Sequence, residues 1–261
     1  MVKYRIVQIG AGNVATHISK AFQEVGHSVV QVVGRAEANA RALAKEVGAA
    51  YTITMSNIDK TADLYIISVP DSAIPNVLSA LPQLSGIVVH TSGSTPASAL
   101  QKVSESYGVF YPFQTFSKAR SISLKGVPFC IEASGADVVS ALSQIAASIG
   151  GKPVEMDSEQ RRWLHLTGVF ACNFVNHMFS ISQVIAQEKG LTFDMLKPLI
   201  RETVSKALEG GPENSQTGPA IRGDSETIEK HVAMLKDFDT EWRDIYRLLS
   251  SSIWNTAQNN D

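Results

Sequence analysis

The chain has 261 residues, of which 44% are hydrophobic and 18% charged, with a formal net charge of −2. That length admits two modest domains, and the near-neutral balance leaves no electrostatic footprint for nucleic acid or an anionic membrane. Only a strand-length apolar run precedes Gly10, too short for a signal peptide, and no later stretch reads as a bilayer span. Two distant cysteines, Cys130 and Cys172, read as buried reduced thiols of a cytoplasmic protein. The six histidines lack metal-ligand spacing, so no metal is expected. Gln160-Arg161-Arg162 reads as a solvated helix face rather than a binding patch.

Along the chain, Tyr4–Ile9 is a short β-rich run ending in glycine, as a buried parallel strand does. Residues Asn13 to Val25 carry Val14, Ile18, Ala21, Phe22 and Val25 on one helical face, and Gly26 ends that helix. Ser28–Val33 is the second strand, Ala36–Val47 an alanine-rich helix closed by Gly48, and Tyr51–Ile53 a third strand. Strands follow at Leu64–Val69, Gly86–His90 and Gly108–Tyr111. A strand over Pro128–Ile131, a helix over Ala136–Ile149 and a strand over Lys152–Glu155 extend the series. This alternation predicts an α/β class, a doubly wound, mostly parallel sheet with helices on both faces. After Met156 the strand signal stops. One helical pattern runs from Ser158 to Gln187, and two more cover Phe193–Glu209 and Ser225–Asn255 around a loop at Gly210–Asp224. The expected domains are residues 1–155, a Rossmann domain, and 156–261, an all-α domain for substrate binding and dimerisation. The polar tail Gln258–Asp261 is the candidate for disorder.

Gly10-Ala11-Gly12-Asn13-Val14-Ala15 follows the first strand and opens the first helix, the context that a dinucleotide fingerprint requires. Gly10 permits the tight turn, Gly12 lets the backbone approach a pyrophosphate, and Ala15 packs helix on strand. NAD-binding folds place an acid at the end of the second strand, whereas this chain has Arg35 there, a guanidinium suited to the 2′-phosphate of NADP. The other reading makes Arg35 ordinary surface and gives Glu37 to the ribose of NAD. Ser68, Val69, Pro70 and Ser92 fall at carboxyl ends of strands, where open sheets bind ligands. Cofactor contacts are therefore expected from Gly10, Gly12, Asn13, Val14, Arg35, Ser68, Val69, Pro70 and Ser92. Asp71 and Ser94 read as turn chemistry.

The order Gly-x-Gly-x-x-Ala, Gly-Arg, Ser-Val-Pro-Asp, Thr-Ser-Gly resembles the 6-phosphogluconate dehydrogenase-like branch of Rossmann proteins. That branch includes pyrroline-5-carboxylate reductase and deazaflavin-dependent NADP oxidoreductases. Over its whole length the chain is similar to a bacterial family of Rossmann-like NADP oxidoreductases with a C-terminal helical domain of unknown function. Tyr111–Phe116, His165–Asn173 and Thr217–Asp224 carry that similarity. The resemblance implies a two-domain NADP-binding protein and leaves the substrate open. Hydroxyacid dehydrogenases of the branch resemble one another in a helical Lys-x-x-x-Asn; setting that Asn on Asn173 puts Val169 in the lysine's place.

Hydride transfer needs a proton donor near the nicotinamide, and His165 is the first candidate, the plainer reading being an inert interface histidine. Asn173 would orient a substrate oxygen. Arg222 would clamp an anionic group, unless it pairs with Asp224 to pin the loop. Gln114 and Thr115 would face the same cleft, while His177 reads as packed. The expected reaction is hydride transfer between NADPH and a C=O or C=N centre of a small molecule, by a homodimer. The alternative is a nucleotide-binding sensor without chemistry, recognisable by a cleft filled with apolar side chains.

Overall fold

The structure, a computed structural model, describes residues 2–259. It divides into two compact units, Met1–Asn173 and Phe174–Asp261.

The first unit is an eight-stranded sheet. Its strands are β1 (Arg5–Ile9), β2 (Ser28–Val33), β3 (Ala50–Thr52), β4 (Leu64–Ile67), β5 (Ile87–His90), β6 (Tyr107–Pro112), β7 (Pro128–Ala133) and β8 (Lys152–Glu155). They lie in the order β3-β2-β1-β4-β5-β6-β7-β8. The central strands are near-continuous apolar runs because both faces are covered. Ile6, Leu64 and Ile66 join one core with Ile18 and Phe22 of α1 (Asn13–Glu24). Val7, Ile9, Tyr65 and Ile67, the alternate residues of the same strands, enter a second core with Ile74 of α3 (Ile74–Ala80). Helix α2 (Glu37–Val47) turns Ala40, Leu43, Ala44 and Val47 inward and ends at Gly48, whose φ of 66° is left-handed. Helix α4 (Ala136–Ser148) buries Val138, Leu142, Ile145 and Ala146.

From β1 the chain builds outward through β2 and β3, then crosses to the other side of β1 to lay down β4. That reversal opens a crevice at the carboxyl ends of β1 and β4, where open α/β sheets bind ligands. One pairing departs from the parallel expectation: β6 and β7 are antiparallel. No crossover helix occupies residues 113–127, so the chain doubles back instead of returning over a face.

Helix α5 (Ser158–Gly168) starts at a capping box. Asp157 accepts from the Gln160 backbone N–H at 2.8 Å, and the Gln160 side chain accepts from the Asp157 N–H at 3.1 Å. A π-helical segment, Val169–Phe174, follows it. The second unit contains α6 (Val175–Glu188), α7 (Lys197–Gly210), the short α8 (Pro212–Ser215), α9 (Ser225–Met234) and α10 (Thr240–Asn259).

The helix anticipated over Ser225–Asn255 is broken: a 3-10 turn at Leu235–Asp237 and an extended Phe238 precede Asp239, whose carboxylate accepts from the Glu241 N–H at 3.0 Å and starts α10. The continuous helix Ser158–Glu188 is, by length and composition, long and apolar enough to cross a membrane, contrary to the expectation that no stretch would be. The reason lies in residues 163–187, which contain no Asp, Glu, Lys or Arg. Of the tail, Gln258 and Asn259 end α10, while Asn260 and Asp261 lie outside the described residues.

Candidate active site

At the crevice, the glycine turn passes between β2 and β4. The Gly10 N–H donates to the Val33 carbonyl at 2.7 Å, and the Ser68 N–H donates to the Ile9 carbonyl at 2.7 Å. Gly10 has φ of 103°, and a side chain there would collide with the Ser68 carbonyl; position 12, by contrast, opens on empty space. Helix α1 has no side-chain cap, and its first intrahelical bond runs from the Thr16 N–H to the Gly12 carbonyl. The N–H groups of Asn13, Val14 and Ala15 therefore lack intrahelical acceptors at the positive end of the helix dipole, an anion-binding arrangement.

A cavity of about 790 Å³ spreads from this turn. Gly10, Gly12, Asn13, Arg35, Ser68, Val69 and Pro70 line it, as the sequence led us to expect. Val14 supplies a backbone N–H beside it. Ser92 does not line it: its hydroxyl accepts from the Ser94 and Thr95 N–H groups at 3.1 and 2.9 Å and is consumed in its own turn. Among the described residues, two cations, Arg35 and Lys118, and no carboxylate line the cavity. Glu37, the rival ribose ligand, instead accepts from the Tyr51 hydroxyl at 3.1 Å. Buried Ser68 leaves its hydroxyl without a partner at the cavity wall. Such an orphan is costly unless a ligand completes it.

A second, smaller cavity of about 170 Å³ lies between the end of β6 and the helix that follows β8. Tyr111, Phe113, Gln114, Thr115, His165, Val169, Cys172 and Asn173 line it together with Gly168. His165 and Asn173 thus meet in one cavity, and Gln114 and Thr115 face it with them. The Tyr111 hydroxyl lies 3.0 Å from His165 Nδ1. Burial pushes the Tyr111 hydroxyl up to about 12, with smaller contributions from Cys130 and Asp71 and an opposing one from Arg161. Tyr111 therefore keeps its proton, and its hydroxyl can either donate to Nδ1 or accept from it. Gly93, just past β5, is the floor of this pair: a side chain there would come within 2.7 Å of His165 Nδ1 and 3.0 Å of the Tyr111 ring.

Arg161 fixes where His165 stands. Arg161 has no exposed surface; its guanidinium pairs with Glu132 of β7 and donates to the Thr95 carbonyl at 2.6 Å. Ser158 donates to the same carboxylate at 2.7 and 2.9 Å. His165 lies four residues on, so one helical turn beyond the clamp carries the imidazole over the cavity. The reading of residues 160–162 as a solvated face is thereby corrected at Arg161, while Gln160 and Arg162 are exposed as expected. Gln160 closes the capping box and Arg161 is buried because an acid on a neighbouring strand neutralises it. Sequence offers no sign of that strand partner.

Cys130 is buried, and burial pushes its thiol up to about 11, the expected inert thiol. Cys172 is a correction: it is exposed and lines the smaller cavity, because the π-helical segment shifts the register of the residues that follow Gly168. Lys118 was not singled out from sequence, and Tyr111 and Gly93 entered only within stretches that carry the family resemblance, without a role. Their loop and strand-end settings carry no spacing signal.

Arg222 belongs to the second unit, in the loop before α9. Its neighbour Asp224 caps α9, accepting from the Thr227 N–H at 3.0 Å and the Thr227 hydroxyl at 2.8 Å. Those two bonds, with Arg222 contributing less, hold the Asp224 carboxyl below the usual range. Within the same loop Gly218 and Gly223 have φ of 108° and 67°, and Trp254 stands over Gly223. His177 is exposed rather than packed.

A Rossmann-like domain family matches residues 2–111, and a domain of unknown function, DUF2520, matches residues 127–253. No curated protein matches the chain. Among solved structures, the putative NADP oxidoreductase of Bacteroides fragilis is 42% identical, with a TM-score of 0.91, over 97% of this chain and 98% of that one. An imine reductase of Myxococcus stipitatus in complex with NADP+ has a TM-score of 0.64 at 16% identity, over 98% of this chain and 93% of that one. A 1-pyrroline-5-carboxylate reductase of Streptococcus pyogenes has a TM-score of 0.64 at 12% identity, over 98% and 99%. These last two share the fold. With the B. fragilis protein similar end to end, the chain belongs to the family that joins a Rossmann-like domain to a DUF2520 domain.

Proposed function

We propose that this protein is an NADP-dependent oxidoreductase that moves a hydride between NADPH and a C=O or C=N centre of a small molecule. One observation carries the reading. The two ends of the segment Phe113–Lys118 line different cavities, Lys118 the dinucleotide-sized one at the glycine turn and Phe113, Gln114 and Thr115 the smaller one that holds the Tyr111–His165 pair. The residues present fit NADP: free helix N–H groups and the unpartnered Ser68 hydroxyl suit phosphate and ribose, and Arg35 suits the 2′-phosphate. The names of the B. fragilis and M. stipitatus proteins agree with that cofactor.

Bound NADPH supplies the hydride for the electrophilic carbon. His165, in its protonated form, is assigned to deliver a proton to the oxygen or nitrogen, with the Tyr111 hydroxyl holding the imidazole in register. Asn173 orients the reacting group. Arg222 is assigned to an anionic part of the substrate. Val169 stands where the branch's hydroxyacid dehydrogenases carry lysine, so proton transfer falls to His165. The rival, a sensor without chemistry, calls for a cleft filled with apolar side chains; Tyr111, Gln114, Thr115, His165 and Asn173 bring polar groups into this one beside the apolar Phe113 and Val169. Two free thiols suit a reducing compartment, and we place the protein in the cytoplasm as a homodimer.

The test is NADPH consumption against a panel of ketones and cyclic imines. His165→Gln is expected to lower kcat by about 100-fold with NADPH affinity unchanged. An unaltered kcat would remove His165 from the chemistry, and no turnover by the wild-type protein across the panel would favour the sensor.

A further inference from the structure

Residues 113–118 do more than line two cavities. The segment is tied onto the start of α1 by three bonds. Asn13 donates its side-chain amide to the Phe116 carbonyl at 3.0 Å, and His17 Nε2 lies 2.9 Å from the Ser117 carbonyl. The His17 and Phe116 rings are 5.3 Å apart. In the third bond, Lys118 Nζ donates to the Ala11 carbonyl at 2.8 Å, inside the glycine turn itself. An ammonium has three donors, and this bond uses one.

We propose that Lys118 binds the diphosphate of the dinucleotide, carried there by a strap, residues 113–118, whose other end forms the wall of the Tyr111–His165 cavity. The assignment rests on the NADP reading above and adds to it a residue that the glycine fingerprint does not contain. Three observations converge. Lys118 lines the larger cavity and is held at Ala11, two residues before Asn13, the first residue of the uncapped α1. The other cation of that cavity, Arg35, stands past the end of β2, where the 2′-phosphate belongs, and leaves the diphosphate without a countercharge unless Lys118 supplies it. Buried Ser68, its hydroxyl unpartnered, lines the same cavity, so the site is built to receive polar ligand atoms. Anion binding to Lys118 adds a bond to the strap. Because Gln114 and Thr115 lie on that strap, the wall of the smaller cavity is ordered by the event that fills the larger one.

The experiment is calorimetric titration of the full-length protein with NADPH and with NADH, using wild type, Lys118→Met and Lys118→Arg. A charge-assisted contact to the diphosphate, common to both nucleotides, predicts that Lys118→Met weakens both by the same factor, about 10- to 100-fold, and that Lys118→Arg restores most of it. Amide exchange of residues 113–118 is expected to slow when NADPH binds the wild-type protein. Lys118→Met within twofold of wild type, with the wild type binding NADPH, overturns the proposal and leaves the cofactor reading intact. A loss for NADPH alone moves Lys118 to the 2′-phosphate and overturns the diphosphate assignment. Unchanged exchange overturns the strap. A wild-type protein that binds neither nucleotide defeats the cofactor reading and this proposal together.

Discussion

His90 ends β5 with no exposed surface, accepting from the Ser92 N–H at 3.2 Å through Nδ1 and facing the Pro96 carbonyl at 3.4 Å through Nε2. Burial pushes it down to about 4; the bond to Pro96 opposes that, Arg161 reinforces it, and Asp71 and Glu132 weakly oppose it. It is therefore neutral at working pH. Below its unfolded value of 6.5 the unfolded chain binds a proton that the folded chain refuses. Stability is accordingly full above that value and falls as pH drops from 6.5 toward 4, by roughly 3 kcal/mol. Thermal melts across this range are expected to show the slope in the wild-type protein and a shallower one in His90→Gln. Equal slopes would assign the acid sensitivity elsewhere. At this scale the candidate site was partly legible. The glycine turn, Arg35, Ser68, His165 and Asn173 declare themselves by order and residue type. Tyr111, Gly93 and Lys118 do not, since their meaning comes from what the fold brings beside them. Arg161 was misread for the same reason: charge argues for solvent until a buried acid on another strand is known.

The most consequential element is the helix Ser158–Glu188. Trp163 on it is 63% exposed, with Leu166, Val175 and Val184 also open to solvent. We read apolar exposure of this kind as an interface. A bilayer is the poorer partner, because Asn173, Asn176, His177, Gln183 and Gln187 would carry unmet polar groups into hydrocarbon. A second copy of the chain is the better one. Sedimentation at micromolar concentration is expected to give twice the chain mass of 28.2 kDa, and Trp163→Lys combined with Leu166→Glu should shift it to one. A wild-type protein that sediments as a single chain would contradict the dimer. Helical periodicity marked this element end to end. It gave no sign of the π-helical turn, which inserts a residue without altering the apolar spacing enough to be seen, and which brings Cys172 to the cavity.

At the scale of the whole molecule, the strand-helix alternation foretold the doubly wound half because each buried strand leaves an apolar run and each helix an apolar stripe. The antiparallel β7 escaped, since a strand's direction is set by the connection before it and residues 113–127 have no regular pattern. The broken helix before α10 escaped because Asp239 is a cap only once the chain has turned there. On the proposed reading, the glycine turn and Arg35 select NADP over NAD. A calorimetric titration of the purified protein with NADPH and, separately, NADH tests it most directly, with Arg35→Asp as the comparison. NADPH is expected to bind at least about tenfold tighter than NADH, with that preference lost in Arg35→Asp, because a carboxylate repels the 2′-phosphate. Equal affinities, or binding of neither nucleotide, would contradict it.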